Sequence, residues 1–242
     1  MIAAAYDAIA GWYDAWAGEA ADDPFFGAVD ALLGDLAGLR VCELACGQGR
    51  IARRLARRGA RVVGVDLSAR LLEIAAARER AEPRAIGYVL DDAQGLAAIR
   101  DGAFDGVVCH MALMDIPELA PTLGAVARVL RPGGWFAFAT FHPCFNAPDS
   151  REEVDADAVY WRMVRDYWTE GYWRSDTRAG PPGKVGAYHR TLATLLNGLT
   201  DAGLALERVA EPRAAGRLAA ARPVWNEVPA VFVAVCRKPE RC

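Results

Sequence analysis

At 242 residues the chain suits one large α/β domain, or a domain carrying a cap, better than two independent cores. A composition 53% hydrophobic and 24% charged excludes a fibrous repeat or a largely disordered chain, and a formal charge of -3 disfavours a general nucleic-acid-binding surface. No apolar stretch is long enough to span a bilayer, and residues 1–21 hold Asp7, Asp14 and Glu19 without Lys or Arg, so neither a membrane association nor a secretion signal is expected.

From residue 39 strand-like and helix-like patterns alternate, which is how stacked βαβ units and a parallel sheet are written in sequence. An apolar run at 39–44 ends in a glycine loop, and 50–58 reads as a helix whose Arg50, Arg53, Arg54, Arg57, Arg58 and the following Arg61 form a solvated stripe opposite Ile51 and Leu55. A second strand covers Arg61–Asp66, followed by a helix with Ser68 placed as its N-cap. Strands at 86–90, Phe104–His110 and 135–141 follow; the helix-like stretch 118–130 before the last is stopped by Arg131-Pro132-Gly133-Gly134.

Beyond the fifth strand, 143–186 shows no sheet pattern and reads as a cap insertion. A helix at 192–202 with Gly203 as its C-cap leads to a strand at 204–209, a long loop without a helix pattern, and a strand at 230–236. Two strands without a crossover helix between them pair antiparallel. The expectation is a single domain over 1–242: a Rossmann-like, seven-stranded, mostly parallel sheet with an antiparallel C-terminal hairpin.

Cys42, Cys46, Cys109, Cys144, Cys236 and Cys242 are scattered, with no Cys-x-x-Cys pair and no histidine at ligand spacing. Free thiols in a reducing cytoplasm and no metal are expected. The chemistry concentrates instead at Glu43-Leu44-Ala45-Cys46-Gly47-Gln48-Gly49, where the first strand hands over to the first helix. Parallel sheets bind ligands at this end of their strands. Asp66 closes the second strand, the position from which a carboxylate accepts hydrogen bonds from both hydroxyls of a ribose. Gly47-Gln48-Gly49-Arg50-Ile51-Ala52 also fits the G-x-G-x-x-A pattern of a nicotinamide oxidoreductase, so the ribose is implied and the rest of the ligand is not. Asp66 and Asp92 each have a plainer role open to them, as caps of the helices that follow.

The segment resembles motif I of class I S-adenosylmethionine-dependent methyltransferases, with Ala45 in place of the first glycine. Asp92-Ala93 resembles the pair that reads adenine in that family, and Leu130-Arg131-Pro132-Gly133-Gly134 is similar to its turn before strand five. Tyr6-Asp7-Ala8-Ile9-Ala10-Gly11-Trp12-Tyr13-Asp14 resembles the leading helix that closes over the cofactor, which implies an N-terminal helical lid over residues 1–30. Phe141-His142-Pro143-Cys144-Phe145 and Gly186-Ala187-Tyr188-His189-Arg190-Thr191-Leu192 are similar to strings of a bacterial small-molecule branch related to the ubiquinone and menaquinone enzymes. The resemblance implies S-adenosyl-L-methionine as cofactor, bound by Tyr6, Glu43, Ala45, Cys46, Gly47, Gly49, Asp66, Leu67, Asp92, Ala93, His110 and Met111, and a small-molecule methyl acceptor. A cofactor-binding cyclase or sensor that moves no methyl group is the rival within the same fold.

His110 ends the fourth strand and His142 follows the fifth, both at carboxyl ends that face the expected site, while His189 follows the insertion; imidazole suits proton transfer near neutral pH. His142 and His189 are the candidate bases and Tyr13 the candidate for orienting substrate; for each, holding a loop is the plainer alternative. Tyr160, Trp161, Tyr167, Trp168, Tyr172 and Trp173 crowd the cap. Some are expected to wall a pocket and the others to form a small core, the seven-residue spacing of the first two pairs fitting one face of a helix.

Overall fold

The computed structural model describes residues 5–18, 25–157, 159–176 and 180–240. A 3-10 turn at Ala5–Ile9 runs into α1 (Ala10–Ala17), and α2 (Phe26–Leu32) leads to the sheet. The alternating units are β1 (Arg40–Leu44), α3 (Arg50–Arg57), β2 (Arg61–Asp66), α4 (Ala69–Ala81), β3 (Gly87–Leu90), β4 (Phe104–His110), α5 (Leu119–Val129) and β5 (Leu130–Phe141). Then come β6 (Arg151–Val154), β7 (Tyr160–Met163), β8 (Gly171–Trp173), α6 (Pro181–Lys184), β9 (Ala187–His189), α7 (Leu192–Asp201), β10 (Ala205–Ala210), α8 (Gly216–Ala221) and β11 (Val231–Arg237).

The main sheet has seven strands in the order β10-β11-β5-β4-β1-β2-β3. β3, β2, β1, β4 and β5 pair parallel, β11 joins β5 antiparallel, and β10 pairs antiparallel with β11. The expected topology therefore stands, including the terminal hairpin. Strand order reverses between β1 and β4, so a crevice opens above their carboxyl ends.

Alternation along the central strands splits the core into two layers. Val107, Cys109, Phe136 and Phe138 face α5 and α7, meeting Leu123, Val126, Leu195 and Leu199. Val108, Ala137 and Ala139 face the other way, toward Ile51 and Leu55 of α3 and Phe26 and Val29 of α2. Ser68 caps α4 as expected, its Oγ accepting the Leu71 N–H at 3.2 Å, and Gly203 follows α7 in the left-handed region at φ 75°.

Four local expectations need correction. The cap holds two antiparallel ribbons, β6-β7 and β8-β9, and no helix carries Tyr160, Trp161, Tyr167 and Trp168. β6, β7 and β8 have no fully buried residue and β9 has only three residues, too few to display an alternation in the sequence. The loop between β10 and β11 contains α8 and a 3-10 turn, Pro223–Asn226, that buries Val224 and Trp225. The turn 131–134 lies within β5, which starts at Leu130. The arginine stripe of α3 is only in part a solvated face: Arg57 and Arg61 are exposed, but Arg53 is 8% exposed and bridges Glu79 and Glu82, while Arg54 and Arg58 both pair with Asp30. These acids sit on α2 and at the end of α4, more than twenty residues away in sequence.

Candidate functional site

The loop between β1 and α3 is held by its own backbone and by two acids. Ala45 adopts φ 53° and Gly47 φ 54°, both left-handed, so the chain turns sharply at the two positions nearest the crevice. Gly49 is left-handed too, and a Cβ there would collide with the phenol of Tyr88, so packing against β3 by itself requires glycine at this position. Buried Glu43 accepts the Ala52 N–H at 2.6 Å, placing its carboxyl at the first turn of α3, and burial pushes its pKa up to about 8.

Asp66, 9% exposed, accepts the Gly47 N–H through Oδ2 and the Ser68 N–H through Oδ1, each at 2.7 Å. Burial raises its pKa while these amide bonds oppose the shift. Each oxygen uses one acceptor site, which leaves one lone pair apiece for a pair of vicinal hydroxyls. That pair of acceptors fits a ribose-bearing cofactor. Leu67 beside it is 40% exposed, an apolar surface next to the carboxylate. Asp92 receives the Gln94 backbone N–H at 2.9 Å and its side-chain amide at 3.0 Å, so it caps its own turn, with Ala93 buried behind it.

The N-terminal segment lies over this loop. Tyr13 approaches to 3.7 Å of where a Gly47 Cβ would stand and meets Tyr6 edge to face at 5.0 Å. Asp7 accepts the Ser68 hydroxyl at 2.6 Å, and Asp14 pairs with Arg78 at 2.7 Å. Cys46 and His110 are buried; His110 meets Phe26 edge to face, and Met111 just after it is left-handed at φ 52°. Contacts run from Tyr6 to Tyr13, from Tyr13 to Gly47 beside Ala45, and from Gly47 to Asp66, whereas His142 and His189 bond to other partners.

Those two histidines differ from each other. His142, 3% exposed, accepts the Cys144 N–H on Nδ1 at 3.2 Å, so Nε2 carries the proton and donates to Glu211 at 2.7 Å. Both ring nitrogens are engaged in tying β5 to the loop after β10. His189 donates from Nε2 to the Tyr167 carbonyl at 2.8 Å, leaving Nδ1 with its lone pair. It lines a small cavity of about 30 Å³, partly open to solvent, together with Leu113, Met114, Thr140, Trp173 and Tyr188. Of the crowded cap aromatics Trp173 reaches this cavity and Tyr167 packs on His189, whereas Tyr160, Trp161, Trp168 and Tyr172 are exposed, Trp168 at 82%. The expected division into pocket and core is thereby corrected.

Two residues of the site went unread in the sequence. Asp115 is half-buried after β4 and accepts the Tyr6 hydroxyl at 3.0 Å. A single acid inside the apolar run 111–116 was the available signal. Arg190 donates to the carbonyls of Leu113 and Pro117, each at 2.8 Å, and to that of Ile116. Among the described residues, no group of three or more His, Cys, Asp or Glu could hold a metal, and no helix is long and apolar enough to cross a membrane.

A family model described as a methyltransferase domain matches residues 42–138. Ubiquinone biosynthesis O-methyltransferases of Thiobacillus denitrificans and Ralstonia nicotianae are 37% and 38% identical to the chain, each over 107 residues or 44% of it. The match spans just under half of those relatives, 46% and 45% of their lengths. A crystal structure of an S-adenosylmethionine dependent methyltransferase from Mesorhizobium loti is 31% identical with a TM-score of 0.78, covering 90% of this chain and 99% of that one.

Proposed function

Since the chain belongs to the class I S-adenosylmethionine-dependent methyltransferases, we propose that it methylates an O, N or C nucleophile of a small, largely apolar or aromatic metabolite in a bacterial biosynthetic pathway. The observation that carries this reading is the cavity beside His189, which is walled by apolar side chains and carries one imidazole with a bare nitrogen. S-adenosylmethionine supplies an electrophilic methyl group. Asp66 would take the ribose, Leu67 and the Asp92-Ala93 turn the adenine, and the loop of Ala45, Cys46, Gly47 and Gly49, braced by Glu43, the remainder, with His110 and Met111 below and Tyr6 and Tyr13 closing above.

The protein's remaining task is to align an acceptor and to remove its proton. The hydrogen bond to the Tyr167 carbonyl fixes the His189 tautomer, so Nδ1 is the nitrogen that accepts a proton. His142 orients strand ends, and Tyr13 orients the two ligands toward each other. The curated relatives act in ubiquinone O-methylation, which makes a phenolic hydroxyl the first acceptor to test. His189→Ala is expected to lower kcat on a ring-hydroxylated substrate by about 10²-fold or more, the usual worth of a general base, with cofactor affinity unchanged. Undiminished turnover would remove His189 from the mechanism.

A further inference from the structure

Asp115 occupies the interval between the two halves of the site. Leu113 and Met114 line the acceptor cavity, while the Asp115 carboxyl faces Tyr6 of the first turn, which donates to it at 3.0 Å. Tyr13 of α1, Asp66 of β2 and Cys109 of β4 are the other titratable groups whose charge couples to it, and among the described residues no cationic side chain pairs with it. Arg190 fixes this stretch from the cap side by holding the carbonyls of Leu113, Ile116 and Pro117. A donor whose ribose rests on Asp66 and whose methyl reaches the cavity must pass its sulfur through the same interval. A half-buried carboxyl lacking a cationic partner there is a counter-ion awaiting its cation.

We propose that Asp115 is a charge-selecting residue: it favours the cationic sulfonium donor over the neutral thioether product, and gives up a proton as the donor binds. The proposal rests on the cofactor placement given above. Enclosure by protein pushes the Asp115 pKa up to about 7, against the opposing hydrogen bond from Tyr6, so near neutrality about half of the free protein carries this proton. A sulfonium nearby favours the carboxylate and expels it. The product sulfur has no charge and leaves the proton in place, so methyl transfer itself weakens the hold on the spent cofactor.

Calorimetry of the full chain with S-adenosylmethionine and with S-adenosylhomocysteine, in two buffers of different protonation enthalpy, tests this directly. At pH 7 the donor is expected to release about half a proton more than the product, a difference that fades by about pH 9. The donor-to-product affinity ratio is expected to rise about tenfold between about pH 6 and 8, as the deprotonated fraction does. Asp115→Asn should abolish both effects. Tyr6→Phe, which removes the bond favouring the carboxylate, should raise the pKa and enlarge the proton release at pH 7. Should Asp115→Asn fail to fold, the wild-type pH series and Tyr6→Phe decide the matter. Equal proton counts for the two ligands in the wild type, or a difference that persists in Asp115→Asn, would overturn the proposal. Failure of both ligands to bind the wild type would overturn the cofactor placement beneath it.

Discussion

Ala45 stands where the family motif has glycine, and its φ of 53° is the reason glycine is favoured there. A left-handed residue with a Cβ costs about 1–2 kcal/mol, of which glycine's extra freedom in the unfolded chain returns about 0.5–1 kcal/mol. Ala45→Gly is therefore expected to stabilise the protein by about 0.5–1 kcal/mol, a rise in Tm of about 2 °C for a domain this size. A thermal melt without ligand checks it. The same residue shows what a sequence can reveal about a site. Glu43, Gly47 and Asp66 were legible because loop chemistry and strand ends are local, their contacts being set within a span of about twenty residues. Asp115 was not, because its partner Tyr6 lies 109 residues away and the fold alone brings them together. His142 was read as a base from its position, yet only the structure shows both of its nitrogens in use.

The element carrying most consequence for its size is the stretch from β9 into α7. Thr191 caps α7 through the Thr194 N–H at 3.1 Å, and the preceding Arg190 holds three carbonyls of the post-β4 segment. Replacing Arg190 with Met keeps the aliphatic stem and leaves those carbonyls without their charged donor, a loss of about 2 kcal/mol. Kinetically, KM for the acceptor is expected to rise several-fold while donor affinity holds, because the segment positions the cavity wall and not the β1–α3 loop. A rise in donor Kd of the same size would instead assign the clamp to the cofactor side. The sequence pointed to β1, β2, β4 and β5 because each buries most of its residues, and to β3 through its apolar run although none of its four residues is fully buried. The ribbons of the cap escaped notice because Val154, Tyr160, Trp161 and Tyr172 point into solvent, so hydrophobicity there carries no record of an inside and an outside. The arginines of α3 misled for the converse reason: Arg53 is charged and yet buried, on account of acids contributed by another helix.

At the scale of the molecule, the acids gathered around the crevice make stability depend on pH. Glu43 titrates near about 8, Asp115 near about 7, and Asp66 is raised as well, each through burial. Between the ordinary carboxyl range and these values the folded chain holds protons that the unfolded chain has released, so stability falls as pH rises through that window. Glu82, Asp105 and Glu170 are shifted the opposite way, by arginine or threonine partners, and matter only at more acidic pH. The ligand-free protein should thus lose several degrees of Tm between about pH 5 and 8 and level off above. Glu43→Gln, which keeps an oxygen for the Ala52 N–H, should flatten that slope; a melt series across pH reads both.

The ribbons leave the main sheet after Phe141 and the chain re-enters the domain at Leu192 without adding a strand to it. Both junctions adjoin the cavity beside His189, and the matched methyltransferase region ends before the first of them. The cap is thus tied to the sheet by two neighbouring seams, and a change of sequence within it can reshape that cavity while leaving the paired strands and the glycine loop as they are.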